Sequence, residues 1–194
     1  MPGSVIYKEK NDTFHFNSLE VLMITLNERL IRLQSRPANK QEAIRQAGQL
    51  LVDNGNIEAG YVSSMLSREQ VSNTYLKNGI AIPHGMPQDR NLIKQTGISV
   101  VQVPKGVPWN PGETATLVVG LAANSTEHLD ALRRLTRLLS DQEQIARLTQ
   151  TTDPGDIIEA LTGERPAATL GFVRFIVLRG QHLVKKWRGH DRDT

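Results

Sequence analysis

The 194-residue chain contains no cysteine, which excludes disulfides, thiolate metal sites and cysteine nucleophiles and removes any need for an oxidising compartment. It has no apolar run approaching the roughly 18 to 20 residues of a membrane span, and no N-terminal basic segment followed by an apolar core and a cleavage site. The expectation is a cytoplasmic protein without direct membrane insertion. An excess of one charge is missing from most of the chain: residues 1–163 carry 16 Lys and Arg against 17 Asp and Glu, a net −1. The basic character belongs to residues 164–194, where 7 Lys and Arg stand against 3 Asp and Glu, a net +4. A nearly neutral main body argues against nucleic acid as the principal partner, because that role usually demands a basic face on the fold itself. Internal repeats and low-complexity tracts are also missing.

What is present is enough for one domain with some terminal excess. Residues 1–22 read as an N-terminal extension without a periodic element, and 23–163 as the domain. Val21 to Leu33 suggests a short strand and then a turn of helix. Asn39-Lys40-Gln41-Glu42 supplies an N-cap with an acidic residue three positions on, and Ala43, Ile44, Ala47, Leu50 and Leu51 recur at helical spacing up to Gly55. Ile57, Tyr61, Val62, Met65 and Leu66 mark a second helix running to about Gln70. Gly97 to Val103 reads as a strand ended by Pro104-Lys105-Gly106, with turn chemistry at 109–113. Ala115 to Ala123 is an almost continuous apolar run, as a central strand covered on both faces requires. Three helices follow, opening at Asn124, Ser140-Asp141 and Asp153-Pro154. The fold class is therefore α/β, a mixed β-sheet flanked by helices on both faces in a single domain. Residues 164–194 form a basic tail, either disordered or appended as a strand, an amphipathic helix or an interaction arm.

Gly79-Ile80-Ala81-Ile82-Pro83-His84-Gly85 delivers a histidine to the end of a buried strand. Ile80 and Ile82 keep period two, Pro83 removes a ladder donor, and Gly85 permits a sharp turn or a close approach. A lone histidine after a strand is more often structural than reactive, so His84 has to be weighed with its companions. Arg68 falls in the last turn of the second helix at the edge of its apolar arc, where it is either a solvated charge at a helix C-terminus or a group turned inward; Glu58 and Glu69 fall in the same arc. His128 lies in the first turn of a helix, where it either caps or meets an anion at the positive dipole end. Metal chemistry lacks a third ligand at suitable spacing, and no serine sits in a nucleophile-elbow pattern. Phosphoryl transfer fits better, with a nucleophilic nitrogen, a cation for the phosphoryl oxygens, and loop or helix-terminal amides as donors.

Ser67-Arg68-Glu69, Gly79 to Gly85, Lys94-Gln95-Thr96-Gly97, Pro104-Lys105-Gly106-Val107 and Asn124-Ser125-Thr126-Glu127-His128-Leu129 share their order and spacing with a known pattern. Over about Leu26 to Gly163 the chain resembles the fructose/mannitol-type (type-2) enzyme IIA domain of the bacterial phosphoenolpyruvate-dependent sugar phosphotransferase system. Within that family it looks most like the domain of the fructose-specific diphosphoryl transfer protein, with the mannitol type a near second. The resemblance implies a mixed sheet flanked by helices and a phosphocarrier without metal or organic cofactor. It implies that His84 accepts a phosphoryl group from the phosphohistidine of HPr and passes it to a cysteine of enzyme IIB. Arg68 and His128 match the family's active-site arginine and second histidine, which would bind the phosphoryl oxygens. Residues 164–194 do not resemble the HPr-like domain that ends the fructose protein, so HPr is expected as a separate partner. The alternative is a regulatory phosphoacceptor, akin to the nitrogen-type branch, whose phosphorylation state controls a partner protein.

Overall fold

The computed structural model describes residues 22–123, 135, 141–162, 165–166, 174–177 and 184–186. Its frame is one mixed sheet. β1 (Leu22–Thr25) and β2 (Ile31–Arg32) are separated by a 3-10 turn at Glu28–Leu30. The helices α1 (Lys40–Asp53) and α2 (Gly60–Val71) lead to β3 (Tyr75–Lys77) and β4 (Ile80–Ala81). A second 3-10 turn, Pro87–Leu92, precedes the long strands β5 (Gly97–Asn110) and β6 (Glu113–Ala122). Beyond them come α3 (Gln142–Gln150), α4 (Pro154–Thr162), β7 (Arg174–Val177) and β8 (Val184–Lys186).

The strand order is β3-β4-β6-β5-β1-β7-β8, with β2 also paired to β5. β4 runs parallel to β6, and β1 and β2 run parallel to β5, whereas β5 and β6 are antiparallel. The sheet is thus mixed, as expected. β7 pairs antiparallel with β1, matching Leu22 to Val177 and Thr25 to Arg174, and β8 pairs with β7.

Side chains alternate across β5 and β6 because successive residues of a strand point to opposite faces. Val101, Val103, Val118 and Ala122 join Ala43, Ile44, Leu51, Tyr61 and Met65 of α1 and α2 in one core. Ile98, Val100, Leu117, Val119 and Leu121 join Ile145 and Leu148 of α3, together with the buried Leu135, in another. Helices therefore cover both faces, and α4 contributes Ile158 to the first core and Ile157 to the second. At about 1.5 to 3 kcal/mol for each large apolar side chain buried, these two layers hold the sheet.

Local signals act where the residues place them. Asn39 caps α1 by accepting from the Glu42 amide at 2.9 Å, and the Glu42 carboxylate accepts in return from the Ala38 amide at 2.7 Å. One expectation fails: β5 does not end at Pro104 but continues to Asn110. Its register against β6 shifts between Gln102 and Val107, with Gly106 at φ 71°, so the proline sits in an irregularity that needs no ladder donor. The turn is confined to Pro111 and Gly112, and Trp109, read as turn chemistry, is a buried strand residue. The helix expected to open at Asn124 lies outside the described residues apart from Leu135, as does the N-terminal extension up to Val21.

Candidate functional site

β3 and β4 are joined by Asn78 and Gly79, both with positive φ (55° and 80°), which suits the twist of a tight hairpin. The Gly79 carbonyl then accepts from the amides of Thr116 and Leu117 at 2.7 and 3.0 Å, so the turn is pinned to β6. From this anchor the chain runs into the histidine segment and is gripped on both sides. Ile82 donates its amide to the Thr74 carbonyl at 2.9 Å, and the Pro83 carbonyl accepts from Leu121 at 2.9 Å. His84 itself forms a parallel bridge with Leu121.

The next two amides are held by α2. Gly85 donates to the Tyr61 hydroxyl oxygen at 2.9 Å and Met86 to Ser64 Oγ at 2.8 Å; Tyr61 and Ser64 stand one helical turn apart and are both buried. Tyr61 in turn donates its hydroxyl hydrogen bond to the Leu121 carbonyl at 3.4 Å. A Cβ on Gly85 would fall 2.4 Å from Tyr61 Cε2, so glycine is required here by a helix side chain. The loop amides that sequence reasoning offered as phosphoryl donors are, at Gly85 and Met86, already committed to α2.

The His84 ring is half-buried and its Nδ1 lies 2.9 Å from the Ile82 carbonyl. A carbonyl oxygen only accepts, so Nδ1 carries the hydrogen, and in the neutral ring the lone pair belongs to Nε2. Burial pushes the imidazole pKa below its ordinary value, against the raising effect of the Ile82 bond. The charges of Arg68 and Arg90 lower it further, and that of Glu69 raises it. Burial likewise pushes the Tyr61 phenol up, which keeps it a neutral donor and acceptor.

Arg68, in the last turn of α2, is half-buried and within electrostatic reach of His84; its Nη1 donates to the Ser72 carbonyl at 2.6 Å. His128 lies outside the described residues, so the described geometry brings together two of the three candidates. Two further charges belong to this neighbourhood that sequence reasoning did not assign to it. Arg90 comes from the 3-10 turn after the histidine. Glu69 is 6% exposed and receives Trp109 Nε1 and Lys40 Nζ on Oε1 at 2.9 and 3.3 Å, and the Thr74 amide and hydroxyl on Oε2 at 2.8 and 2.6 Å. Its sequence signals were its place on the apolar arc of α2 and in the Ser67-Arg68-Glu69 motif, neither of which says what it faces. A cavity lined by Lys40, Gln41, Ile44, Leu66, Glu69 and Gln70 borders that residue and does not include His84.

A half-buried imidazole with Nδ1 held by a backbone carbonyl, under the influence of two cations and set at a strand end, offers a candidate nucleophile for an anionic group. The chain belongs to the family "Phosphoenolpyruvate-dependent sugar phosphotransferase system, EIIA 2", whose model matches residues 24–163. Among its relatives, a multiphosphoryl transfer protein of Xanthomonas campestris pv. campestris is 51% identical over 140 residues, 72% of this chain and 17% of that protein. The chain thus spans about a sixth of that relative's length. The mannitol-specific phosphotransferase enzyme IIA component of Bacillus subtilis is 40% identical over 136 residues, 70% of this chain and 95% of that one. Among solved structures, the complex of mannitol enzyme IIA and phosphorylated enzyme IIB from Escherichia coli has a chain 38% identical to this one. The match has a TM-score of 0.69 and covers 73% of this chain and 99% of that one. Among the described residues no helix is long and apolar enough to cross a membrane.

Proposed function

We propose that the chain is a phosphocarrier of sugar uptake, taking a phosphoryl group from phosphorylated HPr onto His84 and passing it to a cysteine of enzyme IIB. Fructose or mannitol is the sugar class that this reading carries over from the relatives, and a cytoplasmic location goes with it. The observation that carries the reading is the Nδ1–H bond to the Ile82 carbonyl, which directs the reactive pair to Nε2. In the transfer, Nε2 forms a new N–P bond as the donor's N–P bond breaks and that electron pair returns to the donor nitrogen. The proton stays on Nδ1, and the positive charge that develops in the ring is met by the Ile82 carbonyl dipole. On this reading Arg68, which rests on the Ser72 carbonyl and whose charge acts on His84, neutralises the phosphoryl oxygens, and Arg90 adds to the positive field. His128 takes the role of second phosphoryl-binding group by its match to the family pattern. Catalysis on this account is positioning and charge stabilisation, with no cofactor step.

The test is incubation of the full chain with phosphoenolpyruvate, enzyme I and HPr, followed by enzyme IIB of the fructose and mannitol types. One acid-labile, base-stable phosphate per chain is expected, lost to enzyme IIB, with His84→Ala unlabelled. Wild-type labelling of His84→Ala overturns the reading.

A further inference from the structure

We propose that Glu69 is a positioning residue for the phosphoryl acceptor: through Thr74 and Ile82 it fixes the tautomer and direction of the His84 ring, and through the 72–74 turn it fixes the resting place of Arg68. This rests on the reading of His84 as the acceptor.

A buried carboxylate forfeits its hydration, and a well-packed apolar residue in its place is often neutral or better for stability. Glu69 is nonetheless buried, on the apolar side of α2, with both oxygens engaged. The path of those bonds shows what the carboxylate controls. Oε2 takes both donors of Thr74, its amide and its hydroxyl. The Thr74 carbonyl takes the Ile82 amide at 2.9 Å, and the Ile82 carbonyl takes Nδ1–H of His84 at 2.9 Å. Three links in series therefore join the carboxylate to the imidazole. The Thr74 anchor also closes the turn that follows α2, and that turn presents the Ser72 carbonyl to the Arg68 guanidinium at 2.6 Å. One side chain thus sets the acceptor nitrogen and the neighbouring cation at once. On the far side, Trp109 and Lys40 hold Oε1, so the carboxylate cannot turn away from Thr74 without breaking two bonds.

Electrostatics acts in the same direction. The described charges that act on His84 are Arg68 and Glu69 of α2 and Arg90 of the second 3-10 turn, and of these Glu69 alone favours the cationic ring. Phosphorylation at Nε2 with Nδ1 protonated makes a cationic ring, so the negative charge stabilises the product of the transfer as well as the geometry that leads to it.

The experiment compares wild-type full chain with Glu69→Gln and Thr74→Val. The first keeps the size and removes the charge and one acceptor; the second removes a single donor to Glu69. Two readouts are taken on each: the tautomer and titration of the His84 ring by nitrogen-15 NMR, and kcat and KM for phosphorylation by phospho-HPr. Glu69→Gln is expected to lower kcat about 10-fold with KM changed less than about 2-fold, as lost orientation does. Its ring should also lose the uniform Nδ1–H tautomer and titrate at lower pH than wild type. Thr74→Val should move every readout in the same direction by a smaller step, about 3-fold in kcat. If the variants fold and retain the wild-type tautomer, titration midpoint and kcat, Glu69 is only a helix anchor and the proposal falls. Should Glu69→Gln fail to fold, Thr74→Val decides on the same criteria. If wild type is not labelled on His84, the functional reading fails, and the NMR comparison still decides the role of Glu69.

Discussion

The two faces of the sheet bury polar groups to different ends. On the α1–α2 face Tyr61 and Ser64 accept the amides of Gly85 and Met86 beside His84, and Glu69 holds Thr74, whose carbonyl accepts the Ile82 amide. On the α3 face the fully buried Gln102 donates to the carbonyls of Leu148 and Thr151 at 2.8 Å each and accepts from the Gln34 amide at 3.0 Å. These bonds tie the end of α3 and the chain after β2 to the sheet and reach nothing near the histidine. The same strands, β5 and β6, thus carry the layer that holds the candidate site on one side and a structural cover on the other. Perturbing one face should chiefly change rate, and perturbing the other should chiefly change stability.

Gly85→Ala gives the largest expected effect, since its Cβ would press into the Tyr61 ring. We expect stability to fall by about 1 to 3 kcal/mol and phosphorylation to slow about 100-fold as His84 is displaced, read by urea unfolding and by single-turnover labelling. Gln102→Leu should break the comparison if it is wrong: it strands two carbonyls and an amide on the opposite face. A loss of about 2 to 3 kcal/mol with labelling within about 2-fold of wild type is expected; a large rate loss in a folded variant would join the two faces. The smallest effect is on pH dependence. Because the folded His84 pKa is depressed, the unfolded chain binds a proton first as pH falls. The histidine's contribution to stability is therefore complete above the ordinary value near 6.5 and is lost as pH falls from there through the lowered folded value. His84→Asn, measured by denaturation at a series of pH values, should lack that acid-side slope.

Much of the scaffold was legible because its signals are local. Asn39 with Glu42, the apolar run of β6 and the Gly79 to Gly85 strand end each declare themselves within a few residues. Arg68 could be placed beside His84 only through the family pattern, since nothing in its own helix turn says what it faces. The course of β5 beyond Pro104 was hidden because a bulge tolerates the residues that elsewhere end a strand. Glu69 was visible as a charge on the wrong arc and as part of the Ser67-Arg68-Glu69 motif, but not as a buried acceptor: its donor Trp109 lies 40 positions away, and a carboxylate's burial is decided by partners the helix does not contain. The commitment of the Gly85 and Met86 amides to Tyr61 and Ser64 was hidden in the same way, by separations of 24 and 22 residues.

The central claim is that one ring nitrogen of His84 is the phosphoryl acceptor because the other is held by the Ile82 carbonyl. The direct measurement is phosphorus–nitrogen coupling in the nitrogen-15-labelled chain after phosphorylation by phospho-HPr. The account predicts phosphorus bonded to Nε2 of His84 with the hydrogen retained on Nδ1; phosphorus on Nδ1, or on another residue, would contradict it.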